Sequence, residues 1–427
     1  MPTKKLRYLD NASTTPLDPR VLKAMLPYLT KNFGNPSNLY RLGLEAKRAV
    51  GTATQIIAKE IGCRPDELVY TSSATESDNM AIQGVAYANR DKGKRIIVSQ
   101  IEHKGVLAVC EALRKEGFEI IELPVGTDAL IDVQEFRKYL TNDTILVSLT
   151  SVDSETGTIQ PITEIGKIIR EFRLAQNPNG DWRYPIFHTD ASQAAPHLEI
   201  KVDALNVDLM TFSAHKMHGP KGIGALYVRR GTPIRPLIYG GGQQGRLRSG
   251  TENVPGVVGF GEAMRLAAMY RGSENKRLAA LRDRLEKGIT KTIPKIVING
   301  SRTHRLPNML NVSFLDVEGE AMLLYLDEEG ICINTGSACN SESLEPSYVL
   351  TALGSPYEFV HGSIRFSLGR TTTKEDIDFV LKKLPPIIER LRQISPLNLS
   401  VHQKSDMSTP KAFVGGKTPH FLRKKKK

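Results

Sequence analysis

Asp190 and Gln193 stand at the end of one apolar run, and Ser213-Ala214-His215-Lys216 ends the next, placing Lys216 26 residues after Asp190. A lysine amine and a carboxylate at neighbouring strand ends are what a pyridoxal-phosphate site needs. The amine holds the cofactor's aldehyde. The acid keeps the pyridinium nitrogen protonated, so that the ring withdraws electrons from the substrate. Gln193 is placed to donate to the phenolic oxygen. Taken singly, an Asp at a strand end is commonly a cap, and a lone Lys a surface charge. The combination points to chemistry.

Such a site also needs a phosphate cradle. The segment TSSATESDN (71–79) offers hydroxyls before a helix expected to begin near Glu76, and a helix N-terminus favours anions. Thr75 with Asp78 also reads as a capping box. Ser213 and His215 complete the cradle, and Thr251 in the Gly-rich stretch 239–253 adds a donor. His103, after a strand, is an imidazole suited to stacking on the ring and moving protons. His188, His197, His218, His304 and His361 are expected to be ordinary loop residues. Cys339 lies in INTGSACNSESLEPSYVL (333–350), where small neighbours imply an exposed loop and a thiol able to reach a reacting centre. Cys332 and Cys110 read as core residues, and Cys63 as a turn residue without a partner.

These residues need a frame. Apolar runs begin at 67, 95, 144, 184, 207 and 222 and alternate with segments of helical spacing, the pattern of an α/β domain with a mostly parallel sheet. The candidates follow the strands, where ligands bind in such sheets. From about 263 the chain turns helix-rich, then gives three short strands and a helix over 374–394, which reads as a smaller α+β domain. The expected division is an N-terminal arm (1–19), a large domain (20–262), a small domain bearing Cys339 (263–398) and a basic tail (399–427). The stretch 173–183 reads as a polar loop.

The chain has 427 residues and a net charge of +12, with 40% hydrophobic and 24% charged residues, the balance of a globular protein. Residues 401–427 carry eight Lys/Arg and one Asp, a net of +7, leaving +5 for the rest. The charge run is thus expected to be a solvated tail, and direct nucleic-acid binding is not expected. No apolar stretch approaches a membrane span. The N-terminal stretch lacks the apolar core of a secretory signal, so a cytoplasmic location is expected. Four cysteines without CxxC spacing exclude a disulfide framework and an intrinsic metal site.

Taken together, YLDNASTTPLDPR, FGNPS, TSSATESDNMAI, the EHK at 102–104, TGTIQPI, HTDASQ, DLMTFSAHKMHGPKGIGALYVRR, GGGQ, RSGTEN, GSACNSESLEPSYVL and SIRFSLGR resemble the cysteine desulfurases of the class V aminotransferase group, in particular the NifS/IscS-like group. They run in family order over roughly residues 7–395. The resemblance implies a fold-type-I, pyridoxal-phosphate-dependent homodimer acting on L-cysteine. By the same resemblance, Lys216 bears the cofactor, Asp190 and Gln193 contact its ring and His103 stacks on it. Ala74, Thr75, Ser213 and His215 form the phosphate site, Ser154 aligns with a cofactor contact, and Thr251 serves the other subunit's phosphate. Arg365 and Asn11 fall to the substrate, and Cys339 matches the cysteine that receives sulfur, with a transient iron–sulfur contact conceivable there. Implied partners are a sulfur acceptor, either an iron–sulfur scaffold or a tRNA-thiolation enzyme. The chain departs from the family pattern at Asp153-Ser154-Glu155, usually Asn-Asn-Glu, at Ser73, usually Gly, and at Tyr40, commonly His. After SPL it lacks the aromatic-containing ending associated with scaffold docking. On residues alone, selenocysteine lyase, an aminotransferase and a non-catalytic sulfur-transfer or nucleic-acid-binding protein stay open.

Overall fold

The computed structural model describes residues 5–176, 184–335 and 346–394. Cys339 and the basic tail 399–427 lie outside the described residues.

A seven-stranded sheet runs, in spatial order, Leu68–Thr71, Gly224–Val228, Leu209–Ser213, Ile186–Asp190, Thr144–Ser148, Arg95–Ser99 and Glu119–Leu123. Gly224–Val228 is antiparallel to both neighbours, and the other pairings are parallel. Its reversal leaves Leu68–Thr71 pointing the same way as the remaining strands. The carboxyl ends of Leu68–Thr71, Arg95–Ser99, Thr144–Ser148, Ile186–Asp190 and Leu209–Ser213 therefore share one edge. Gly224, paired with both Thr71 and Ser213, makes this possible locally. A Cβ there would lie 2.7 Å from the Ser73 carbonyl carbon and 2.9 Å from Phe212 O.

The six expected strands form where their β-branched and apolar runs place them. The seventh, Glu119–Leu123, was not expected. It is an edge strand whose Glu119 and Glu122 face solvent, and charge on an edge hides the apolar pattern. Expectations also shift at helix ends. The helix expected from Glu76 begins at Ala74 and is capped by Ser73, whose Oγ accepts from Glu76 N at 3.2 Å, so the Thr75–Asp78 box does not form. Asp78 is instead buried. Of the loop expected over 173–183, the described residues 173–176 are instead helical, within Ile162–Gln176. His188, expected in a loop, is buried in a central strand, with Nδ1 2.8 Å from Ser148 Oγ and Nε2 3.0 Å from Thr211 Oγ1, whereas His197 is a half-buried turn residue as expected.

Ser363–Ser367, Met309–Phe314 and Ile296–Asn299 form a second, antiparallel sheet, covered by the helix Lys374–Ile394. The helix Val254–Thr292 joins the two halves. Its buried residues up to Ala267 belong to the core of the large sheet, and those from Leu278 to that of the small one. The position 262/263 thus falls inside a continuous helix. The N-terminal arm crosses between the halves: Arg7–Tyr8 pairs with Ile331–Cys332, and Leu9 is buried in the second core. No helix among the described residues is long and apolar enough to cross a membrane.

Candidate active site

A cavity of about 420 Å³ opens at the shared strand edge, walled by Asp190, Gln193, His215 and Lys216 on one side, Ala74, Thr75 and His103 on another, and Ser154, Glu155, Asn334 and Arg365 on a third. Lys216 sits in a 3₁₀ turn directly after Leu209–Ser213, and its Nζ donates to Ala12 O at 2.5 Å and Ser13 O at 2.8 Å. Gln193 Nε2 donates to the same Ala12 carbonyl at 2.9 Å. The N-terminal arm therefore holds two of the side chains that line the cavity. Asp190 ends its strand with Oδ1 accepting from Ser192 N at 2.8 Å.

His103 caps the helix Lys104–Lys115, its Nδ1 accepting from Gly105 N at 3.1 Å. A Cβ on Gly105 would press on His103 Nδ1 and on Thr75, so glycine lets ring and cradle meet. Desolvation lowers the imidazole's pKa; Asp190 opposes this, and the Lys216 ammonium adds to it. His215, 3.1 Å from Thr14 Oγ1, is pushed down to about 4 by burial and then by Lys216 and Lys221. Both rings are therefore neutral at physiological pH.

At the anion end, the first-turn N–H groups of the helix from Ala74 have no intrahelical acceptor. Ser213 Oγ is buried without a hydrogen-bond partner among the described residues. A helix start, a lysine and a strand-end aspartate at one cavity, with a buried hydroxyl that has no partner among the described residues behind its wall, fit pyridoxal phosphate. Ser213 lies behind the lining, and Thr251 is exposed and does not line this cavity.

Arg365 is engaged from three sides. Its Nη2 donates to Asp10 Oδ1 at 2.8 Å and Ser13 Oγ at 2.7 Å, its Nη1 to Ser154 O at 2.8 Å, while Nε is buried without a partner among the described residues. Asn11, expected beside it, does not line the cavity. Its Nδ2 donates to Ser367 O at 2.9 Å, and its side chain packs against Gly369 in a smaller space behind Lys216.

Two buried acids, Glu155 in the cavity wall and Glu102 behind it, were not singled out from the sequence. Glu102 is buried, with Oε1 accepting from Ser99 Oγ at 2.5 Å and Thr150 N at 2.9 Å, and burial pushes it up to about 8. Glu155 is buried with Oε2 accepting from Ser347 Oγ at 2.5 Å, and burial followed by Asp153 pushes it up to about 8. The available signal was their place beside strand ends in EHK and DSE.

Fold and site together define a pyridoxal-phosphate transferase of fold type I. The Aminotransferase class-V family matches residues 7–380. Cysteine desulfurase IscS of Methanosarcina thermophila is 50% identical over 393 residues, 92% of this chain and 94% of that one. A solved NifS-like protein superposes with a TM-score of 0.84 at 36% identity, covering 91% of this chain and all of the other. The structure titled SspA in complex with cysteine gives 0.74 at 35% identity, covering 86% and 99%. The chain belongs to the class V aminotransferase family, among its pyridoxal-phosphate-dependent cysteine desulfurases.

Proposed function

We propose that the chain transfers sulfur from L-cysteine to Cys339, leaving L-alanine and a persulfide, with Lys216 as the cofactor-bearing amine. The observation that carries this is one cavity lined by Lys216, Asp190, His103 and Arg365 and also by Asn334, five residues before Cys339. Five residues span at most about 18 Å, so the thiol is leashed to the cavity. The cysteine complex of the SspA relative supports the substrate.

Asp190 would hold the pyridine nitrogen, Gln193 the phenolic oxygen, His103 the ring face, and Ala74, Thr75, Ser213 and His215 the phosphate, with Ser154 alongside. Bound pyridoxal phosphate supplies an electron sink for the amino acid's Cα. Lys216 Nζ would serve as the base that takes the Cα proton. Neutral His103 accepts and returns protons. Arg365 holds the substrate carboxylate, for which a guanidinium fork is suited. The Cys339 thiolate bonds to the substrate sulfur as the carbon–sulfur bond breaks, and the carbon fragment takes up protons and leaves as alanine. The persulfide then serves a sulfur acceptor in the cytoplasm, for iron–sulfur assembly or tRNA thiolation.

The working unit is a homodimer in which Thr251 reaches the other subunit's phosphate. Leu22, Leu26 and Leu29 on the helix Pro19–Thr30, with Phe33 and Leu39, expose an apolar surface that a second copy would cover. Lys216→Ala and Cys339→Ala should each abolish alanine release from cysteine, and mass spectrometry should find one added sulfur on the Cys339 peptide. Unchanged turnover in either variant rejects its role.

A further inference from the structure

We propose that Glu155 is a positioning residue for sulfur transfer: it holds Ser347 to the cavity wall and so fixes one of the two ends between which the segment bearing Cys339 is tethered. This rests on Cys339 being the sulfur acceptor.

The two flanks of residues 336–345 are fastened at the same cavity. On the incoming side, Asn334 Nδ2 donates to Ser13 Oγ at 2.9 Å and Asp10 Oδ2 at 3.1 Å, and its backbone bridges to Arg365. On the returning side, Ser347 Oγ meets Glu155 Oε2 and also accepts from Leu350 N at 3.1 Å, capping the helix Tyr348–Ala352. That helix has its own attachment: Tyr348 OH donates to Glu102 O at 2.7 Å, and Val349 and Leu350 pack with Ile101 and Ala129.

The helix is thus held without Glu155. The contact to Ser347 lies one residue earlier, where the chain turns from segment to helix, so it sets direction rather than attachment. Direction matters for a thiol that must meet a bound sulfur atom, since a displacement of about 1 Å can cost about a hundredfold in rate. A glutamine oxygen accepts from the serine hydroxyl equally well. An alanine does not.

The test mixes cysteine rapidly with cofactor-loaded wild type, Glu155→Gln, Glu155→Ala, Ser347→Ala and the double alanine variant. Cysteine binding is followed by the cofactor absorbance, and sulfur on the Cys339 peptide by mass spectrometry. The two alanine variants should bind cysteine as the wild type does, yet load Cys339 about tenfold or more slowly. Glu155→Gln should stay close to wild type, and the double variant should be no slower than Ser347→Ala alone. Loading of Glu155→Ala at the wild-type rate, equal slowing in Glu155→Gln, or multiplied losses in the double variant would overturn the proposal. Absence of sulfur on Cys339 in the wild type instead removes the assignment on which it rests.

Discussion

Glu102 gives a prediction with a worked magnitude. Its Oε1 is satisfied by Ser99 and Thr150, but Oε2 is buried without a partner among the described residues. Burial raises it from 4.5 to about 8. At about 1.4 kcal/mol per tenfold change in proton affinity, that difference corresponds to roughly 5 kcal/mol. The sign follows from which state holds the proton. Between pH 4.5 and about 8 the folded chain keeps a proton that the unfolded chain has released, so stability falls as pH rises through that window and levels off above it. Glu102→Gln is neutral at every pH. It places an amide N–H₂ where Oε2 has no partner, at a cost of about 1–3 kcal/mol. The variant should therefore be less stable than wild type near the ordinary glutamate pKa and more stable above pH 8. Urea-unfolding midpoints by circular dichroism, taken at matched protein concentration across that range, measure the difference. A wild-type-minus-variant gap that is constant with pH refutes the reasoning.

Three further outcomes follow from packing. Gly369→Ala would set a Cβ 2.1 Å from Asn11 Oδ1; it should cost about 1–3 kcal/mol, and adding Asn11→Ala should recover most of the loss in a thermal melt. Ser73→Ala removes the cap on the helix from Ala74 and should cost about 1 kcal/mol, whereas Ser73→Gly should cost only a few tenths; equal losses would show that the cap is not what matters. Leu22→Glu with Leu26→Glu charges the exposed apolar stripe and should yield a monomer in sedimentation velocity, so an intact dimer would place the interface elsewhere.

The strands and the residues that end them were legible because period and composition are local properties. Lys216, Asp190 and His103 could be assigned to strand ends without coordinates. The edge strand Glu119–Leu123 was hidden by its charges, and the start of the helix at Ala74 by a serine that caps it. His188 looked like a loop histidine because burial in a central strand depends on both neighbouring strands. Glu102 and Glu155 carried no local mark of their burial.

By itself, the sequence determined the family, the chemistry and the side chains available for it, since each depends on residue type at fixed spacing. The tertiary structure decided what those side chains touch. The reversed strand Gly224–Val228 brings Thr71 to the same edge as Asp190 and Ser213. The arm's carbonyls at Ala12 and Ser13 hold Lys216, and Asp10 pairs with Arg365 across 355 residues. Such contacts join segments far apart in the chain, and no local pattern encodes a partner that only folding brings near.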